Sequence, residues 1–251
     1  MIEDPQGTVL ALFLAFCRIG GCFMVLPGFS SFRVPVQIRL FLAVAISMAL
    51  LPILWDTIYP NVKGGGGQYV LLVGAEMLIG VTLGLIARFI VVSLQYAGTA
   101  MSMAIGFNSS PGGGIIENEP EGQLTSLVTF SAIFILFLTD FHHMIIGSLV
   151  RSYGFMPMST GFEPRLALMT LTDTLAGSFL LVLRLASPFL VYGLVFNLSI
   201  GMVNKLAPQI PVYFISIPYI LAGGLILFYL GSNTFFSLFI DGFEALFMGL
   251  I

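Results

Sequence analysis

An all-α, membrane-associated protein is the fold class this sequence predicts, and three observations predict it. Of its 251 residues 58% are hydrophobic and only 8% are charged, against about 25% charged in a soluble globular domain. The mean hydropathy is +1.04. The apolar residues gather into runs of membrane-spanning length, separated by connectors rich in Gly, Pro and polar residues. So few charges cannot cover a water-facing surface, and long apolar runs satisfy their backbone in lipid by closing into helices.

Six hydrophobic segments follow in order: Val9 to Pro27, Val36 to Trp55, Tyr69 to Phe107, Leu124 to Leu149, Leu175 to Val203 and Val212 to Leu230. A simple span needs roughly 20 residues. The third run is far longer, so it must tilt, break or leave the bilayer. Between the runs lie "FSSFRVP", "YPNVKGGGGQ", "GFNSSPGGGIIENEPEG", "RSYGFMPMSTGFEPR" and "NKLAPQIP", each dense in helix-breaking residues. From Phe235 onward, Phe235, Phe236, Phe239, Ile240, Phe243, Leu246, Phe247 and Leu250 keep a 3.6-residue period, with Ser237, Asp241 and Glu244 opposite. That pattern predicts an amphipathic C-terminal helix lying on a membrane or a partner.

The N-terminus carries Glu3 and Asp4 where a secretory signal carries positive charge, so the first apolar run is expected to stay in the structure. Cys17 and Cys22 point in different directions on a helix, and no bridge between them is expected. Net charge is −3 with no Lys/Arg cluster, which argues against a nucleic-acid partner. If all six segments cross, Arg33, Arg39 and Lys205 fall on one side and Lys63, Arg151 and Arg165 on the other. Loop charges therefore give no orientation.

Four charges sit inside apolar runs: Arg18, Glu76, Arg88 and Arg184. Each costs about 2.5 to 3.5 kcal/mol at the centre of a membrane helix. Glu76 and Arg88 stand roughly 18 Å apart along one helix and cannot pair there. Arg18 or Arg184 pairing with Glu76 is one solution; pairing with other subunits, or a position above the bilayer, is the other. In "TDFHHMI", Asp140, His142 and His143 read as an interfacial polar cluster, because neighbouring helical residues diverge by about 100° and chelate poorly. No H-E-x-x-H or G-x-S-x-G occurs, so the residues offer no catalytic or cofactor site. Broken helices and buried charges suit a small-solute transporter, but no inverted repeat is visible.

"NLSIGMVNKLAPQIPVYFISIP", Asn197 to Pro218, carries the most specific information. Pro208 and Pro211 impose a bend between two apolar helices, and Asn197, Asn204, Lys205 and Gln209 supply polar groups to that bend. The stretch resembles the FliR family of type III secretion, flagellar and injectisome branches alike. Its pattern of Asn-Leu, Gly, Asn-Arg/Lys, Ala-Pro-Gln, an apolar residue and a later Pro is met by Asn197, Leu198, Gly201, Asn204, Lys205, Ala207, Pro208, Gln209, Ile210 and Pro218. "LAFCRIGGCFMVLPGF" resembles the family's first helix, with Arg18 at its buried arginine.

The resemblance implies an export-gate subunit of the inner membrane with no chemistry of its own, present in one copy with FliP and FliQ. FlhB and FlhA are the further implied partners, with unfolded export substrates and membrane lipid. Residues 1–170 are then FliP-like, and residues 171–251 a FliQ-like hairpin with its C-terminal helix. Much of the chain would lie on the periplasmic side. The long loop becomes a plug of the closed channel: Phe107, Asn108, Ser109, Ser110, Pro111, Gly112, Gly113 and Gly114, with glycine giving it freedom to move. Glu117, Glu119 and Glu121 match no family motif. The flagellar branch is the leading expectation and the injectisome branch the alternative.

Overall fold

The computed structural model describes residues 4–28, 34–62, 66–107 and 122–248. Among them all regular structure is helical: α1 (Pro5–Val25), α2 (Val36–Val62), α3 (Gly66–Ala104), α4 (Gln123–Leu138), α5 (Phe141–Phe155), α6 (Pro164–Leu206) and α7 (Val212–Met248). Five helices are long and apolar enough to cross a membrane, or six if α4 and α5 form one broken span. The all-α membrane class predicted from composition is thus the one observed.

Two segments differ in detail, and for a third one of the open alternatives falls away. The third run does not break: α3 is one helix of 39 residues. The fourth run does break, at Thr139 and Asp140, because Asp140 takes a left-handed backbone (φ 58°, ψ 29°) that no α-helix continues through. The C-terminal helix is not a separate element, since α7 runs unbroken from Val212 to Met248. Its expected face is present, with Phe235, Phe239, Phe243 and Phe247 buried and Ser237, Asp241 and Glu244 exposed. Gly231, Ser232 and Asn233 do not end the helix, whereas α6 stops before Pro208 and α7 starts after Pro211.

The chain forms two compact units, whose boundaries fall inside α3, α4, α6 and α7. Unit 1 comprises Met1–Ile90, Phe137–Ala176 and Ala245–Ile251; unit 2 comprises Val91–Leu136 and Gly177–Glu244. In unit 1, α1 is the core, buried almost all round from Leu14 to Phe23. Its start is capped by Asp4, whose Oδ1 accepts from the Gly7 amide at 3.0 Å while Oδ2 accepts from the Tyr59 hydroxyl at 3.1 Å. Pro5 at the first helical position loses nothing, since that amide has no partner anyway.

In unit 2, α6 and α7 form a hairpin. The Tyr192 hydroxyl donates to the Ile220 carbonyl at 3.0 Å, and Phe189 packs on Phe228 at 6.3 Å between ring centroids. Polar residues within the apolar helices are mostly satisfied by their own backbone. Ser47, Thr82, Ser102 and Ser148 each donate to the carbonyl four residues back, so an isolated hydroxyl does not disqualify a membrane helix. At Pro188, which removes the amide that the Arg184 carbonyl would accept, the Ser187 hydroxyl donates to that carbonyl instead, at 3.0 Å.

Candidate functional site

Arg18 and Glu76 are both fully buried, and they meet. Arg18 Nε donates to Glu76 Oε2 at 2.6 Å and Nη2 to Oε1 at 2.7 Å, a two-pronged pair. Nη1 donates to the Ser152 hydroxyl at 3.0 Å, and Nη2 also to the Met156 carbonyl at 3.0 Å. Ser152 can accept because its own proton goes to the Leu149 carbonyl, at 2.6 Å. The guanidinium carbon stands 3.7 Å from the centre of the Tyr153 ring, close enough for cation–π attraction. Helices α1, α3 and α5 each supply part of this cluster. Planar geometry, two matched oxygens and a hydrogen bond from every guanidinium nitrogen help a buried ion pair to offset its desolvation.

The approach of α1 to α3 depends on glycine. A Cβ on Gly80 would stand 2.0 Å from the Arg18 carbonyl oxygen, one on Gly84 2.7 Å from that of Cys22, and one on Gly21 2.7 Å from that of Met77. The two backbones are in contact, and Arg18 reaches Glu76 because nothing stands between the helices. Cys17 and Cys22 are free and buried, as their spacing predicts.

Of the two pairings left open by the sequence, Arg18 with Glu76 is the one formed. Arg88 and Arg184 instead stand exposed on α3 and α6. At the bend, Ala207 donates to the Val203 carbonyl and Ile210 to that of Ala207, and α7 restarts after Pro211. Asn197 Nδ2 donates to its own helix at Gly193, 2.8 Å away. Asn204 is half-buried, while Lys205, Pro208 and Gln209 are exposed.

The long loop is described only at its roots: Phe107 is half-buried, and Asn108, Ser109, Ser110, Pro111, Gly112, Gly113 and Gly114 lie outside the described residues, as do Glu117, Glu119 and Glu121. Both roots belong to unit 2 and are tightly held. Before the loop, a Cβ on Gly193 of α6 would meet the Ala104 carbonyl oxygen at 2.5 Å, and one on Gly224 of α7 would meet Ile105 at 2.5 Å. Gly106 then turns the chain with φ 74°, a conformation that favours glycine. After the loop, Thr125 packs against Gly98, with its hydroxyl 3.5 Å from that of Ser102. A cavity of about 300 Å³ beside the first root is lined by Met103, Gly106, Asn197, Tyr213 and neighbours on α7.

Ser152, Tyr153 and the Met156 carbonyl were not legible as partners of Arg18, since they lie more than 130 residues away in sequence and carry no charge to attract notice. The glycines did leave a sign. Gly80 and Gly84 are spaced four apart in an apolar run, the small-residue pattern of closely packed membrane helices.

The chain matches the family described as "Bacterial export proteins, family 1" over residues 9–246. It is 32% identical over 240 residues to the "Flagellar biosynthetic protein FliR" of Caulobacter vibrioides (strain ATCC 19089 / CIP 103742 / CB 15), covering 93% of this chain and 92% of that one. Proteins of the same name in Aquifex aeolicus (strain VF5) and Escherichia coli (strain K12) are each 27% identical. They align with 94% and 85% of this chain, and with 96% and 80% of their own lengths.

Proposed function

Since the chain belongs to the bacterial export proteins of family 1, we propose that it is a structural and gating subunit of the flagellar type III protein export channel. The observation that carries this reading is the extent of the likeness, which runs through nearly the whole chain to relatives named for flagellar biosynthesis. Those names favour the flagellar branch over the injectisome one. No catalytic step is part of the proposal.

In this reading the chain assembles in the inner membrane with FliP and FliQ, in contact with FlhB and FlhA. Residues 1–170 take the FliP-like role and residues 171–251 the FliQ-like one. Helix length supports a partly extramembrane position. α3, α6 and α7 have 39, 43 and 37 residues, roughly 55 to 65 Å each, against a hydrocarbon core of about 30 Å. The exposed apolar faces of α6 and α7, with Leu194, Leu198, Phe214 and Tyr229 among the uncovered side chains, suit partner helices and lipid. Lys205 and Gln209 offer polar contacts at the exposed bend.

The segment from Phe107 to Gly114 serves as the plug. Its supporting feature is the close packing of its roots, since a loop that must seal and release needs fixed ends. Deleting Ser109 to Gly114 alters only loop length, a mild change thermodynamically. The gate should still co-purify with FliP and FliQ, but resting cells should leak small ions. Full assembly without leakage refutes the plug. A chain that is monodisperse and functional without partners refutes the gate-subunit reading and favours a transporter.

A further inference from the structure

The break between α4 and α5 brings together the only two histidines of the chain and a carboxylate. Asp140 is the only non-glycine residue with positive φ among the described residues. It occupies the N-cap position of α5, where an aspartate ordinarily accepts from the helix's first amides. Here its side chain makes no such bond. Its Oδ1 instead lies 3.5 Å from His143 Nδ1 and 3.9 Å from His142 Nε2. Adjacent residues on a helix diverge by about 100°. Side-chain rotation overcomes that divergence, for the two imidazole rings are 4.3 Å apart between centroids. Phe137 stacks on His142 at 6.4 Å and steadies it.

The three ligand atoms all lie within 4.8 Å of one another. Ligands of one tetrahedral ion at about 2.0 to 2.1 Å stand closer than that, so modest side-chain rotations close the set. We propose that Asp140, His142 and His143 form a surface binding site for a divalent transition-metal ion of the zinc class. Two imidazoles and one carboxylate suit zinc, cobalt or nickel, whereas magnesium and calcium prefer all-oxygen sets. The side chains of Asp140 and His143 are 77% and 74% exposed. A charged group so exposed is costly within hydrocarbon, so the site requires this corner to lie in water, where an ion can reach it. Bound there, the ion ties the left-handed residue at the break to the first turn of α5.

The test uses the full-length chain, purified in detergent with a histidine-free tag, stripped with a chelator and titrated with Co²⁺ alone. The wild type should develop visible ligand-field bands that saturate at one ion per chain and vanish on addition of Zn²⁺. His143→Gln and Asp140→Asn, both at exposed positions, should each weaken binding by about tenfold or more while the chain stays monodisperse. The bands should be absent from the triple variant D140N/H142Q/H143Q. Absence of saturable bands in the wild type, or an unchanged spectrum in the triple variant, overturns the site.

Discussion

Where α1 meets α3, three glycines bring the backbones together around a buried ion pair; where α6 and α7 hold the end of α3, glycines do the same with no charge involved. Both contacts use small residues for close approach, the usual means of packing helices that gain little from apolar burial in a membrane. They differ in what happens when one partner is lost. The apolar contact degrades in proportion to the volume disturbed. The charged contact fails abruptly, because the surviving partner is stranded without solvent. A polar lock therefore specifies one arrangement more sharply than it stabilises it.

The largest expected effect comes from breaking that lock on one side. Glu76→Leu leaves Arg18 buried and unpaired and should destabilise the chain by about 3 to 5 kcal/mol, read as a fall in detergent-phase thermal unfolding temperature. Adding Arg18→Met should recover most of the loss, since replacing both charges by apolar groups is often neutral. A double variant as unstable as the single one would show that the pair is not the source of the effect.

Valine at the two glycine contacts sharpens the comparison next. Gly80→Val and Gly193→Val each press a Cβ onto a backbone oxygen, with expected losses of about 1 to 3 kcal/mol or somewhat more. Only Gly80→Val should couple to Glu76→Leu in a double-mutant cycle. Equal coupling of both would mean that the two contacts do not differ in this way.

Ser152→Ala removes one of the neutral partners of Arg18 and should cost on the order of 1.5 kcal/mol. Arg184→Leu in the isolated, detergent-solubilised chain should change stability by no more than about 0.5 kcal/mol, because that side chain is exposed on α6. A large loss would mean that Arg184 has an intramolecular role.

How far these contacts were legible follows from their range. Arg18 and Glu76 stood out because a charge in an apolar run demands an explanation, and the hairpin bend because proline acts locally on the backbone. The choice between Arg18 and Arg184 as partner of Glu76 needed the packing, which no local pattern encodes. The break at Thr139–Asp140 was hidden for a different reason. Its apolar neighbours continue on both sides, and a single left-handed aspartate carries no periodic mark. The fusion of the C-terminal helix with α7 leaves no local mark, because polar residues alone do not end a helix.

The length of α6 has a bearing on how the chain is inserted during synthesis. Residues 185–204 carry no charged side chain, and Arg184 and Lys205 bound them. That stretch is about 30 Å long, the thickness of the hydrocarbon layer. The preceding half, from Pro164, contains Arg165 and Asp173 and makes the poorer candidate. Were α6 inserted through this window, the two cations would act as end stops for its vertical register, each with a side chain long enough to reach the headgroups. Moving either stop by one helical turn, rather than changing any packed residue, is how the depth of this helix could be reset.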